Sequence, residues 1–73
     1  MNRTEEKLKK DFGIHLKKLR MSKNMTLRDL DAASGIDFST IGKIESGIRN
    51  TYLQDLFALA KGLDIDVLDL ITF

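Results

Sequence analysis

Two helix signals stand almost next to each other in the middle of this 73-residue chain. Gly35 is placed to end one helix, because glycine readily adopts the left-handed conformation that closes a helix. Asp37 is placed to begin the next, because its carboxylate can accept from the free N–H groups of a first helical turn. Since only two residues separate Gly35 from Phe38, the two predicted helices must meet at a sharp angle.

The chain before this joint predicts two helices. The first runs from about Thr4 to Ser22, where apolar residues recur at a spacing of three to four and form one stripe. The stripe consists of Leu8, Phe12, Leu16 and Leu19. The second helix begins at Thr26, because Thr26 and Asp29 have the spacing of a capping box, in which each side chain accepts from the other residue's backbone N–H.

Three further helices are predicted after the joint, the first of which ends near Gly47. Thr51 and Gln54 have the spacing of another capping box and open a fourth helix that runs up to Gly62. The apolar face of this helix is predicted to consist of Leu53, Leu56, Phe57 and Ala60. Asp66 opens a short fifth helix.

The composition favours an all-α fold. Proline is absent, and β-branched residues nowhere alternate with polar ones over the length of a strand. We expect residues 1–73 to form a single domain, a compact five-helix bundle, which at this length buries only about 60% of the surface that the unfolded chain exposes. Cysteine is absent, so neither a disulfide nor a thiolate metal site can reinforce that small core. No apolar run suits a membrane span or a signal peptide, and a cytoplasmic protein is the default expectation.

Charge is distributed unevenly along the chain. Residues 1–28 contain nine Lys and Arg against three Asp and Glu, a net charge of +6, whereas residues 29–73 contain three against eight, a net charge of −5. Such an asymmetry gives one part of a small domain a positive field that attracts phosphate. The same pattern is also typical of an ordinary solvated helix face.

The third predicted helix is the candidate for reading DNA. Ile41 and Ile44 face the bundle, and the residues that then point away from it are Phe38, Ser39, Gly42 and Lys43. A short helix presented in this way fits the major groove of DNA, which is about 12 Å wide and in which the base edges are distinguishable.

This arrangement resembles the phage-repressor-like helix-turn-helix family of the Cro, lambda-repressor and Xre type. The resemblance extends from about Phe12 to Leu70, with the motif itself at about residues 26–47. The residues that carry it are, in order, Leu16, Leu19, Arg20, Thr26, Leu30, Gly35, Ile36, Ser39, Thr40, Ile41, Ile44, Glu45, Gly47, Arg49 and Asn50. It implies a lambda-repressor-like domain that binds specific double-stranded DNA and regulates transcription, with no cofactor.

The resemblance also implies roles for single residues. The base-reading residues would be Phe38, Ser39, Thr40 and Lys43, and the phosphate contacts would come from Lys23, Thr26, Arg49 and Asn50. Arg20 and Glu45 would form a structural ion pair between the first and third helices. Lys43 is expected on a guanine, because an ammonium group can donate to O6 and N7, and Phe38 on a thymine methyl group. The other interpretation of Phe38 is an ordinary core or interface aromatic.

The sequence departs from the family pattern at four positions. Leu27 stands where a polar residue, often Gln, is usual, so a phosphate contact would be lost. Asp31 stands where Ala is usual, and its carboxylate would approach the neighbouring helix unless it leans toward a helix N-terminus, where the dipole favours negative charge. Phe38 and Gly42 replace residues that are commonly polar. The fold expectation is unaffected, while the details of base reading stay open.

A homodimer is expected, because a single reading helix covers few base pairs. Two half-sites about one turn of DNA apart, roughly 34 Å, form a pseudo-palindromic operator that matches a two-fold symmetric protein. The fourth and fifth helices carry more apolar residues than so small a core can bury, and they are the predicted dimer surface. The residues assigned to it are Tyr52, Leu59, Ile65, Val67, Ile71 and Phe73.

An antitoxin-like function and an enzymatic function are the alternatives to DNA binding. An antitoxin-like member of the family would bind a protein partner, and an apolar C-terminal patch that does not pair with itself would favour that function. An enzyme is disfavoured, because the chain has one histidine, His15, and lacks a Ser-His-Asp, metal or phosphate-loop constellation. Asp64, Asp66 and Asp69 lack the loop pattern of a calcium site and are interpreted as helix caps. The sequence does not decide between repression and activation.

Overall fold

The computed structural model describes residues 3–73, which form five α-helices. They are α1 (Glu5–Ser22), α2 (Leu27–Ser34), α3 (Phe38–Glu45), α4 (Leu53–Leu63) and α5 (Val67–Ile71). No strand occurs within the described residues, and the prediction of an all-α, five-helix fold is confirmed. Met1 and Asn2, which the predicted domain includes, lie outside the described residues. No helix between residues 3 and 73 has the length and apolar character needed to cross a membrane.

Most helices begin at the residues whose side chains can cap them. The Thr4 hydroxyl accepts from the Lys7 amide at the start of α1, and the Asp66 carboxylate accepts from the Leu68 amide at the start of α5. At the start of α2 the capping box is complete. Because these bonds join residues two or three positions apart, the sequence alone was enough to locate them.

The predicted ends of α4 are both wrong. The helix is preceded by Tyr52, whose amide donates to the Asp55 carboxylate at 3.1 Å, so the capping pair lies one residue beyond Thr51 and Gln54. A carboxylate is the better group at that position, because it also complements the helix dipole. The helix continues through Gly62 to Leu63, and Asp64 adopts the left-handed conformation at φ 56°.

Gly62 has a packing function in place of the predicted terminating one. A Cβ atom on it would lie 2.9 Å from Ser34 Cβ and 3.0 Å from Leu30 Cδ1. The missing side chain therefore lets α4 approach α2 closely, and this contact places the two helices side by side.

The core is formed by one face of each helix, and its buried apolar members are Phe12, Leu16, Leu30, Ile41, Ile44, Leu59, Ala60, Leu63 and Leu70. The predicted apolar face of α4 is wrong in part, because Leu53 and Phe57 are 68% and 56% exposed. Leu59 is fully buried, so its assignment to a dimer surface is also wrong. The helical period places Leu59 with Leu63 on the inner side of α4, and Leu53 with Phe57 on the outer side.

Gly13 brings α1 into backbone contact with the end of α3. A Cβ atom on Gly13 would lie 2.4 Å from the Glu45 carbonyl oxygen and 2.5 Å from that of Ile44. Such separations are far shorter than a van der Waals contact, so only glycine fits here.

A buried ion pair joins the same two helices. Arg20 Nε donates to Glu45 Oε2 at 2.7 Å and Arg20 Nη2 donates to Glu45 Oε1 at 3.0 Å. The third donor, Nη1, bonds the carbonyl oxygen of Met25 at 2.7 Å. The hydrogen bond to Glu45 raises the pKa of Arg20 above its ordinary value. These bonds connect α1, the loop that follows it and the C-terminal end of α3.

Replacing Gly13 with Ala is expected to lower the free energy of unfolding by about 1–3 kcal/mol or more, because the new methyl group collides with backbone that cannot move aside. The matched control is Gly42→Ala, in a position whose nearest neighbour would be Leu27 Cδ1 at 3.8 Å. That change is expected to stabilise α3 by about 0.5–1 kcal/mol. Urea unfolding of both variants checks the pair, and equal stabilities would contradict the close approach.

Replacing Glu45 with Ala is expected to cost about 3–5 kcal/mol, because it leaves the Arg20 charge buried without its partner. The double variant Arg20→Met, Glu45→Leu removes both charges, and its free energy of unfolding is expected to fall much less. Urea unfolding at neutral pH measures both effects. A double variant as unstable as the single one would show that the buried charge is not the cause.

Candidate nucleic-acid interface

The outer face of α3, defined here by Ser39 and Lys43, is exposed to solvent. The two residues lie one helical turn apart on the same side. Ile41 and Ile44 are fully buried on the opposite side and anchor α3 to the core. Thr40 is half-buried beside the buried face, so it is less available to a ligand than its neighbours.

The first turn of α3 is stabilised by two carboxylates. Asp37 Oδ2 accepts from the Ser39 amide at 3.0 Å and also from the Ser39 hydroxyl. Asp31 Oδ2 accepts from the Phe38 amide at 2.8 Å. Asp31 thus leans toward the N-terminus of α3, the favourable one of the two arrangements considered for this departure from the family pattern. The hydrogen bonds from the Ser39 hydroxyl and amide lower the pKa of Asp37.

The bond between Ser39 and Asp37 decides what the serine can still recognise. Its hydroxyl hydrogen is used within the protein, while the oxygen of this exposed side chain keeps its capacity to accept. Ser39 is therefore prepared to accept a hydrogen bond from a ligand.

Arg28 is a candidate site residue that the sequence analysis did not identify. Its guanidinium carbon lies 4.1 Å from the centre of the Phe38 ring, and the arginine is exposed. The sequence contains only a weak signal for Arg28. Arg28 and Asp31 are three residues apart and so share the face of α2 that meets the start of α3. Only the angle between the two helices makes that spacing meaningful.

The predicted phosphate-binding residues lie at three helix ends. Lys23 is exposed at the C-terminal cap of α1, and Arg49 and Asn50 are exposed in the loop between α3 and α4. Thr26 caps α2: its hydroxyl accepts from the Asp29 amide at 3.0 Å. The hydroxyl hydrogen of Thr26 is then free to donate to a ligand.

The Thr26 amide is not free, because it donates to Asp29 Oδ2 at 2.8 Å. This bond and the one from the Asp29 amide to the Thr26 hydroxyl lower the pKa of Asp29. Lys10 of α1 lies against Gly47, where a Cβ atom would be 2.9 Å from Lys10 Cγ. A further positive side chain, which the sequence analysis did not assign, therefore lies beside the loop that carries Arg49.

The predicted dimer surface is only partly exposed. Tyr52, Ile71 and Phe73 are exposed and line a shared apolar cavity of about 490 Å³ together with Leu8, Lys9, Phe12, Leu56 and others. Ile65 and Val67 are half-buried against the core. Further exposed apolar side chains on α4 and α5, which the sequence analysis did not assign to this surface, are Leu53, Phe57 and Leu68.

Phe73 is also held within the chain. Its ring lies 5.6 Å from that of Phe12 and 5.7 Å from the imidazole of His15, measured between ring centres. His15 Nε2 is 2.9 Å from the carbonyl oxygen of Asp69, the distance of a hydrogen bond that ties α1 to α5. His15 therefore has a structural place at the edge of the core.

The chain is similar to known gene regulators in both sequence and fold. Residues 16–70 match the family described as helix-turn-helix. An uncharacterized HTH-type transcriptional regulator, y4dJ, of Sinorhizobium fredii is 29% identical over 65 residues, which are 89% of this chain and 84% of that protein.

Solved structures of three regulators share the fold. The restriction-modification controller protein C.AhdI from Aeromonas hydrophila is 39% identical with a TM-score of 0.81, over 88% of this chain and 96% of that one. A point mutant of the restriction-modification controller protein C.Esp1396I is 30% identical with a TM-score of 0.82, over 96% and 85% of the two chains. The clp gene regulator ClgR from C. glutamicum is 26% identical with a TM-score of 0.81, over 88% and 83%. The resemblance recognised from the sequence is confirmed, and the chain belongs to the helix-turn-helix family, whose members are DNA-binding transcriptional regulators rather than enzymes.

Proposed function

We propose that this protein binds a specific pseudo-palindromic operator as a homodimer and represses or autoregulates transcription from it in the cytoplasm. The observation that carries the proposal is the outer face of α3, where Ser39 and Lys43 are exposed while Ile41 and Ile44 hold the opposite side in the core. The relatives support a regulatory function, since two of them are named as controller proteins and one as a gene regulator.

The chemistry of the outer face suits the edges of base pairs in the major groove. The Lys43 ammonium can donate to guanine O6 and N7. Ser39 is left with acceptor capacity, so it would accept from the amino group of adenine N6 or cytosine N4. Phe38 would pack against a thymine methyl group, and half-buried Thr40 would make a peripheral contact.

Phosphate contacts would lie on both sides of this face. The Thr26 hydroxyl and Lys23 precede α3, and Arg49 and Asn50 follow it. Contacts of this kind set the position of a protein on the duplex, because every base pair carries the same phosphates.

The homodimer is proposed on the exposed apolar side chains of α4 and α5. Those side chains are Tyr52, Leu53, Phe57, Leu68 and Ile71, with Phe73 at the margin of the same region. Ile65 and Val67, being half-buried, would contribute only at their edges. Exposed apolar side chains in this number on so small a protein favour a contact with a partner. Two-fold symmetry of the protein then matches two half-sites on DNA.

An antitoxin-like function is the alternative. The observation that favours it is the apolar cavity beside Tyr52, Ile71 and Phe73, which a side chain of another protein could fill. A protein that stays monomeric at all concentrations would favour this alternative, with DNA binding secondary.

Base reading can be separated from phosphate binding with two variants. Lys43→Ala is expected to relax the preference for guanine at one position of each half-site by about 1–3 kcal/mol. Arg49→Ala is expected to weaken binding to all DNA sequences alike. It should also reduce the slope of log K against log salt concentration by about one.

The probe is a duplex selected from a random library by the wild-type protein, and binding is followed by fluorescence anisotropy at two salt concentrations. Unchanged preference in Lys43→Ala would contradict the assignment of α3 as the reading helix. A change of base preference in Arg49→Ala would contradict its assignment to phosphate.

The dimer surface can be tested without DNA. Leu68 is 62% exposed on α5, and Leu68→Glu places a charge in the proposed interface. The dimer dissociation constant is expected to rise at least about tenfold, because the interface would bury an unpaired carboxylate. Sedimentation equilibrium measures it, with Met21→Glu as a control at an exposed apolar residue of α1. If Leu68→Glu and Met21→Glu give the same dimer dissociation constant, the assignment of the interface to α5 is contradicted.

A further inference from the structure

Arg28 and Phe38 form a paired group at the start of α3. Phe38 is the first residue of this helix, and the guanidinium carbon of Arg28 lies 4.1 Å from the centre of its ring. A cation over an aromatic face is attracted by the ring quadrupole, and arginine is the commonest cation in such contacts. The ring therefore restricts where the long Arg28 side chain can place its charge.

The donors of this guanidinium are not used within the protein. Among residues 3–73 the side-chain hydrogen bonds from arginine belong to Arg3 and Arg20, and the ion pairs belong to Arg3, Lys7 and Arg20. Arg28 is thus an exposed arginine that is positioned by an aromatic ring while its five N–H groups stay available to a ligand.

The surroundings of Arg28 contain acids as well. Asp37 lies close enough for Arg28 to contribute to its electrostatic environment, but the Asp37 carboxylate is bonded to Ser39. Asp31 is likewise bonded, to the Phe38 amide. Both carboxylates stabilise the start of α3 and leave the fork of guanidinium donors without a protein acceptor.

We infer that Arg28 is a specificity-determining residue that reads a guanine in each half-site, and that Phe38 positions it while packing against a thymine methyl group on the neighbouring base pair. The inference rests on the proposed function, since it places the start of α3 in the major groove. The planar guanidinium fork matches guanine O6 and N7 in a bidentate manner. An α2 residue would thereby extend a reading surface that was expected on α3 alone.

A base contact is favoured over a phosphate contact by the position of the ring. Phe38 is the first residue of the helix whose outer face carries Ser39 and Lys43, so the Arg28 guanidinium lies at the N-terminal end of the candidate reading helix. A phosphate contact needs only the charge, whereas guanine recognition needs the planar fork in a defined place. Lysine at this position would keep the charge and lose the fork.

The test is selection of duplexes from a random library by the wild-type protein and five variants. Binding is then measured by fluorescence anisotropy on the selected duplex and on duplexes with one base pair changed. The variants are Arg28→Ala, Arg28→Lys, Phe38→Leu, the double variant Arg28→Ala, Phe38→Leu and the control Lys18→Ala. Lys18 is an exposed cation of α1 that lies beside Arg3 and Phe73, on the side of the helix that faces the C-terminal residue.

Wild type is expected to prefer one guanine that Arg28→Ala no longer distinguishes, with about a tenfold loss of discrimination at that base pair. Arg28→Lys and Phe38→Leu should reduce the discrimination at the same base pair. Phe38→Leu does so because it removes the ring beneath the guanidinium. The double variant Arg28→Ala, Phe38→Leu should lose no further discrimination there. Lys18→Ala should keep the wild-type preference.

Two results would overturn the inference while leaving the proposed function standing. One is a selected sequence that is the same for wild type and Arg28→Ala. The other is an Arg28→Ala variant that binds every duplex more weakly by the same factor, which would assign Arg28 to a phosphate contact. A wild-type protein that selects no sequence would overturn the proposed function and this inference with it.

Discussion

The buried pair of Arg20 and Glu45 is the interaction on which the presentation of α3 depends. Three hydrogen bonds from one guanidinium hold the end of α1, the Met25 carbonyl in the next loop and the C-terminal end of α3. A buried charge tolerates little displacement of its partner, because the loss of either group leaves the other desolvated. Gly13 contributes to the same contact between α1 and the end of α3, because its missing side chain lets the α3 backbone approach α1. One end of the candidate reading helix is thereby held against the longest helix of the protein.

Carboxylates hold the other end of α3 and also shape what it can bind. Asp31 and Asp37 accept from the first two amides of the helix, so these amides are not available to a phosphate group. Recognition of DNA by this end of α3, as proposed, would then depend on side chains. The negative charge placed there is offset by Arg28, whose own position depends on Phe38. Arg28, Asp31 and Phe38 thus act together at the start of α3, although Asp31 and Phe38 looked like isolated departures in the sequence and Arg28 drew no notice there.

The start of most helices could be read from the sequence because a cap is a local interaction. Thr4, Thr26, Asp37 and Asp66 each bond an amide two or three residues away, and the short joint between Gly35 and Phe38 predicted the sharp angle between α2 and α3. The start of α4 shows the limit of this reasoning. The sequence predicted a capping box of Thr51 and Gln54, whereas in the structure the Asp55 carboxylate accepts from the Tyr52 amide one residue later.

The sequence by itself determined the all-α fold, the order of the five helices, most of their caps and the outer face of α3, because these follow from short-range spacing and helical period. Tertiary structure decided which side of α4 is buried, since Leu59 rather than Phe57 faces the core. It also decided that Gly62 serves close packing rather than termination, and that Arg28 meets Phe38 across two helices. These features depend on how helices lie against one another, and no periodicity within a single helix contains that information.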